Sequence, residues 1–191
     1  MSTLSTAASV TQPAPQSEPA EVVLGVLILV PEPLSGRVRA LRTSLSEDVV
    51  AVPTHVTLIP PTTVAATELP SVVEHLRAVA AGEAPFSIRL LGTDTFQPVT
   101  DVVFLPLADG RDSCDRLQER LRGGPLQVDL RFPYHPHVTL AHDIPQAGLD
   151  QARAAMESVD ETFTVDRFVL YADPSGTEDW EPVREFPLAT S

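Results

Sequence analysis

Apolar positions along the chain recur with two different periods, and each run stops at Pro, Gly or a polar cluster. The stretch Val22-Val23-Leu24-Gly25-Val26-Leu27-Ile28-Leu29-Val30 is a continuous aliphatic and β-branched run, which predicts a central strand buried on both faces. Pro31 and Pro33 end it. Leu34, Val38, Leu41 and Leu45 then follow at helical spacing, predicting an amphipathic helix from Leu34 to about Ser46 with Arg37, Arg39 and Arg42 on its solvated side. Pro53 to Pro60 returns to strand character. A second helix is expected from Leu69 to Ala81, with Pro70 in its first turn, His75 on its surface and Gly82 after its end.

Phe86 to Leu90 alternates like a strand with one wet face, and Val102 to Leu107 reads as a buried strand. The polar stretch Gly92 to Thr100 between them is a loop or hairpin connection. A third helix is expected from Asp109 to Arg122, with Leu117 and Leu121 inward and Gly123-Gly124-Pro125 as its stop. His137 to Ala141 is a further strand, and Pro145-Gln146 opens a fourth helix from Ala147 to Ser158. Phe163 to Tyr171 and Trp180 to Leu188 close the chain as two strands, a hairpin around Asp173-Pro174-Ser175-Gly176. Residues 1–20 lack apolar periodicity and are expected to be a flexible N-terminal tail, leaving residues 21–191 as one folded domain.

Composition narrows the classes. A hydrophobic content of 43% over 191 residues supports a real core in one domain or two intimate lobes. The longest apolar run is too short to span a bilayer, and the first 20 residues carry no Arg or Lys. A cytoplasmic monomer with no membrane contact is the expectation. The one cysteine, Cys114, excludes an internal disulfide framework and a multi-cysteine zinc site, and it is expected to be structural. The net charge is −13, from 26 acidic and 13 basic residues, all of the latter Arg. No Arg cluster stands out, so binding to long RNA or DNA is disfavoured while a small phosphorylated substrate is not.

The chemistry gathers at a repeated tetrapeptide, His55-Val56-Thr57-Leu58 and His137-Val138-Thr139-Leu140. In a strand, His and Thr share one face while Val and Leu take the other, so each copy can bury its aliphatic pair and show an imidazole and a hydroxyl to a cleft. Two imidazoles can flank a phosphate as base and acid, since their ordinary pKa of about 6.5 keeps both protonation states accessible. Threonine hydroxyls can donate to non-bridging oxygens. Thr also favours strands in any sheet, which gives Thr57 and Thr139 a second, purely structural explanation.

These two tetrapeptides, about half a chain apart, make the sequence resemble the two-histidine (2H) phosphoesterase superfamily, which includes cyclic phosphodiesterases and 2'-5' RNA ligase-like enzymes. The likeness runs from about Val22 to Leu188 and takes in the closing Trp180-Glu181-Pro182-Val183-Arg184-Glu185-Phe186. It implies an α+β, bilobal fold: two pseudo-symmetric lobes, each with an antiparallel sheet and flanking helices, around a central cleft. It also implies hydrolysis of a 2',3'-cyclic phosphate or a similar small nucleotide phosphodiester without metal or other cofactor. His55 is then the expected general base, His137 the general acid, and Thr57 and Thr139 the phosphate ligands. Tyr134 and His135 are possible substrate contacts. Ala141-His142 departs from the ligating branch, where an Arg often follows the second motif, and this argues against a long RNA.

Other readings have their own residues. Ligation of RNA ends is one alternative, and a non-enzymatic module binding a cyclic nucleotide or phosphometabolite is another. His135 and His137 with His142 and Asp143 resemble a metal cluster, but strand alternation sets His142 on the face opposite the other two. Phe96, Phe132, Tyr134 and Trp180 are the aromatic residues that could stack on a base.

Overall fold

The structure, a computed structural model, describes residues 20–46, 52–174 and 179–189. The expected tail, Ala20 apart, and the Ser175-Gly176 part of the closing turn lie outside the described residues. The opening aliphatic run forms β1 (Glu21–Leu29) and is buried on both faces. Leu24, Val26 and Ile28 join the main core, while Leu27 packs on the other side with Val169 and Tyr171. There follow α1 (Leu34–Leu45), β2 (His55–Ala65), α2 (Leu69–Ala81), β3 (Phe86–Leu91), β4 (Asp94–Thr95), β5 (Val102–Asp109) and α3 (Arg111–Arg122). The remainder is β6 (His137–His142), α4 (Gln146–Met156), β7 (Asp160–Val165), β8 (Arg167–Asp173) and β9 (Glu181–Pro187).

Two antiparallel sheets carry the molecule, one ordered β2-β1-β8-β9 and the other built from β4, β5, β3 and β7 with β6 paired to β5. The duplication is visible strand by strand. In the first half β1, α1, β2 and α2 make a unit in which β1 pairs with β2, and in the second β5, α3, β6 and α4 repeat it with β5 paired to β6. Leu29 stands opposite His55 and Leu27 opposite Thr57; Pro106 stands opposite His137 and Phe104 opposite Thr139. Just past each motif threonine the register slips by one residue. Thr57 and Ile59 face the adjacent Leu27 and Val26, and Thr139 and Ala141 face the adjacent Phe104 and Val103. The skipped residue is the motif leucine in both, a bulge repeated with the unit.

Four expectations need correction. The run from Phe163 to Tyr171 is two strands in different sheets: Val165 pairs with Phe86, Val169 with Leu27, and the exposed Asp166 between them is where the chain crosses. The charged pair Asp166-Arg167 stands at the crossing, but polar residues also occur within a strand that has one wet face, so the stretch reads as a single strand. The third helix starts at Arg111 rather than Asp109, because Gly110 adopts φ +91° to turn from β5, and a Cβ there would stand 2.5 Å from the Ser87 carbonyl oxygen. His75 is half-buried rather than on the surface: its Nε2 lies 3.2 Å and 3.1 Å from the Arg120 and Leu121 carbonyl oxygens, donating to the end of α3. Arg42, expected outward with Arg37 and Arg39, turns inward as described below.

Within both motifs the alternation holds. Val56, Leu58 and Val138 are 0% exposed and Leu140 is 1%, while His55, Thr57, His137 and Thr139 are half-buried on the other face. Replacing Leu58 or Leu140 with Ala should destabilise the fold by about 2–5 kcal/mol. Urea unfolding at unchanged m measures this, and a loss below about 1 kcal/mol would contradict the packing described.

Candidate active site

Both motif histidines are held by the same local device. Nδ1 of His55 lies 2.6 Å from the Pro53 carbonyl oxygen, and Nδ1 of His137 lies 2.6 Å from the His135 carbonyl oxygen. A carbonyl can only accept, so each Nδ1 carries the hydrogen and each Nε2 is left as the atom that gains or loses a proton. Burial pushes both rings below the ordinary imidazole pKa. For His55 the Pro53 hydrogen bond opposes this, while the Arg42 guanidinium and His137 add to it. For His137 the His135 carbonyl opposes and the His135 ring adds.

A cavity of about 470 Å³ opens between the two motif strands. His55, Thr57 and Arg42 line it from the first unit, and Thr139, Ala141 and His142 from the second. His137 stands beside this wall rather than on it, close enough for its charge to disfavour charge on His55. Its ring is framed by Phe96 at 5.1 Å, edge-on, and Phe104 at 5.0 Å.

The two units are tied across the cleft through the carbonyls of the motif threonines. Tyr134, on the segment leading into β6, donates its hydroxyl to the Thr57 carbonyl oxygen at 2.9 Å. Arg42, on α1, donates from Nη2 to the Thr139 carbonyl oxygen. The main chain at each threonine is thereby held by a group from the other unit. Tyr134 does not line the cavity, and burial pushes its phenol pKa up. His135 likewise lies off the cavity wall, half-buried against Phe96 and Phe104 at 5.2 and 5.4 Å, and its carbonyl is what holds His137.

Arg42 is the residue that sequence reasoning missed. Val38, Leu41, Arg42 and Leu45 occupy positions i, i+3, i+4 and i+7 of α1, so Arg42 belongs to the buried stripe and not to the solvated side. That spacing was the available signal. Burial lowers its pKa, and among the described residues no carboxylate forms an ion pair with it. A desolvated guanidinium without a counter-ion favours an incoming anion.

His142 also departs from expectation. Beyond the bulge at Leu140 it lines the cleft, where its Nδ1 is 2.9 Å from Asp143 Oδ2 in an exposed pair. Among the described residues no group of three His, Cys, Asp or Glu side chains is placed to hold a metal ion. Cys114 is fully buried in α3, and burial pushes its thiol up to about 12, so it is no nucleophile. Phe132 is exposed beside Arg131, whereas Trp180 lines the cavity. No helix among the described residues is long and apolar enough to cross a membrane.

Residues 30–177 match the sequence profile of the 2'-5' RNA ligase superfamily. The chain is 28% identical over 167 residues to BH1439 of Halalkalibacterium halodurans, a protein with a phosphoesterase name, across 86% of this chain and 96% of that one. LigT of E. coli in its apo form shares the fold at a TM-score of 0.66 and 18% identity, covering 90% of this chain and 99% of LigT. LigT complexed with 3'-AMP gives a TM-score of 0.65 at 18% identity over the same shares. A duplicated unit with one His-Val-Thr-Leu on each side of the cleft, matched over most of its length by that profile, belongs to the 2'-5' RNA ligase superfamily of two-histidine phosphoesterases.

Proposed function

We propose that this protein is a metal-independent phosphodiesterase that hydrolyses a 2',3'-cyclic phosphate or a similarly small nucleotide phosphodiester. The observation that carries the reading is the pair of imidazoles, each fixed as the Nδ1–H form by a main-chain carbonyl, His55 on and His137 beside the wall of a cavity that holds Thr57, Thr139 and Arg42, with which no carboxylate among the described residues forms an ion pair. Thr57 and Thr139 hydroxyls and the Arg42 guanidinium bind the non-bridging phosphate oxygens and stabilise the charge that grows on them. Arg42 supplies from within the chain the cationic charge that a metal ion gives other phosphodiesterases.

His55 is the base and His137 the acid. Arg42 lies beside His55 and disfavours its protonated form, so His55 is the ring better kept neutral. A bound phosphate anion raises the pKa of His137 and loads it with a proton. Nε2 of His55 then takes a proton from water as the water oxygen bonds to phosphorus. The bond from phosphorus to the ribose oxygen breaks on the opposite side, and His137 protonates that oxygen. The product is a phosphomonoester with one free ribose hydroxyl, and proton exchange with solvent resets both rings.

The net charge of −13 and the size of the cavity favour a small substrate over long RNA. The complex of LigT with 3'-AMP supports a nucleotide-sized ligand in this fold. Turnover separates this reading from a binding module: a nucleoside 2',3'-cyclic phosphate bound but left intact by the purified protein would decide for the module.

His55→Ala and His137→Ala should each lower kcat by about 10²- to 10⁴-fold with an unchanged circular dichroism spectrum. Wild-type rates in either variant would remove that ring from the mechanism, and loss of wild-type activity in a chelator, restored by a metal, would overturn metal independence. Because both rings titrate below the ordinary imidazole value in the free protein, kcat/KM should peak on the acid side of pH ~6.5. Arg42→Gln should lower kcat/KM by about 10²-fold. It should also move the acid limb to higher pH, since removing the guanidinium lets His55 hold its proton longer. An acid limb that stays in place would deny Arg42 its influence on His55.

A further inference from the structure

Both motif strands lie at the edge of a sheet: among the described residues β2 pairs with β1 alone and β6 with β5 alone. Each therefore keeps one row of main-chain groups without a ladder partner. Val30 donates to the Thr54 carbonyl oxygen at 2.9 Å, which makes these two a hydrogen-bonded pair, and alternation makes Ile28 with Val56 the next. Thr57, opposite Leu27, falls in the other kind of position, with its carbonyl turned away from β1. That outward carbonyl is the one the Tyr134 hydroxyl reaches at 2.9 Å, across 77 residues of sequence. We propose that Tyr134 is a positioning residue for the phosphate site, its hydroxyl fixing the Thr57 segment of β2 so that the Thr57 side chain meets the same phosphate as Thr139 and Arg42. Tyr134 touches neither substrate nor reacting atoms, and its role rests on the phosphodiesterase reading.

The two ties across the cleft are not equivalent. Arg42 lines the cavity and carries the charge that an incoming phosphate attracts, so its bond to the Thr139 carbonyl is shared with the substrate. Tyr134 lies off the cavity wall, and its ring packs against the main core. Burial, with Cys114 and Asp115 nearby, pushes the phenol pKa up and keeps the hydroxyl a neutral donor. An uncharged donor outside the cavity is not drawn to the anion. It holds β2 in one place before and after phosphate binds, and two threonines from separate strands need such a fixed reference to meet one phosphate. A phenylalanine would fill the same core; the hydroxyl is explained by the carbonyl it meets.

Tyr134→Phe removes the donor and leaves the ring. It should lower kcat/KM for a nucleoside 2',3'-cyclic phosphate by about 10-fold, part of the loss that a misplacement of about 1 Å brings, with an unchanged circular dichroism spectrum. A double-mutant cycle tells positioning from general support. In Thr57→Val, where the hydroxyl to be placed is gone, Tyr134→Phe should cost less than about 2-fold, whereas in Thr139→Val it should keep its full cost. Wild-type kcat/KM in Tyr134→Phe, or an equal fractional loss in all three backgrounds, overturns the role. Should the Phe variant not fold, the cycle is run with para-aminophenylalanine in place of Tyr134, a weaker donor whose smaller loss must again vanish in Thr57→Val. Calorimetry with inorganic phosphate separates this role from hydrolysis. The dissociation constant should rise about 5-fold in Tyr134→Phe, within the range of coupling between contacting residues, and stay level when the change is made in Thr57→Val. Coupling in the phosphate cycle with the cyclic phosphate left intact by the wild type removes the hydrolase and leaves Tyr134 its role. Turnover without coupling in either cycle removes the role and leaves the hydrolase.

Discussion

The cleft depends on main-chain carbonyls of the two motif regions acting as fixed acceptors. The carbonyl two residues before each histidine orients its ring and selects its tautomer. The carbonyl of each threonine accepts from a side chain of the opposite unit, Tyr134 for Thr57 and Arg42 for Thr139. A free imidazole samples two tautomers and several rotamers, and either freedom would cost alignment at the moment of proton transfer. Here both are removed by carbonyls of the segments that lead into β2 and β6. The spacing between the units is set by the same residues that bring charge and support to the cavity.

Duplication explains why two such sites face each other, and its imperfections explain how they differ. The pairing of β1 with β2 and of β5 with β6 repeats down to the bulge at the motif leucine. The surroundings do not repeat. His55 sits beside the Arg42 guanidinium, whereas His137 is framed by the rings of Phe96 and Phe104. Chemically equivalent rings in unequal fields are what a base and an acid require, since identical environments would favour the same protonation state in both.

Much of this was legible in the residues. The aliphatic run at Val22–Val30, the helices, and the alternation that buries Val56, Leu58, Val138 and Leu140 follow from period alone, because a buried face leaves a regular trace. What escaped were features in which neighbouring residues change partners. Asp166 divides a strand-like stretch between two sheets, and a charged residue inside such a stretch reads equally well as the wet face of a single strand. The bulge at Leu140 brings His142 to the cleft, and a single unpaired residue has no signature in composition. Arg42 reads as a surface residue by type and as a core position by spacing; type was the weaker guide, because a long side chain can bury its stem and carry its charge into a cavity. Trp180 was one of four aromatic residues that the sequence offered for stacking, and its place on the cavity wall over Gly25 comes only from the fold.

Nitrogen-edited NMR of the imidazoles tests the central claim most directly, by following the ring nitrogens of His55 and His137 as inorganic phosphate is added. Both rings should begin as the Nδ1–H tautomer with pKa values below the ordinary imidazole value, and both should respond as one anion binds, His137 gaining the larger upward shift. An Nε2–H tautomer at either ring, or a phosphate response confined to one of them, would contradict the account.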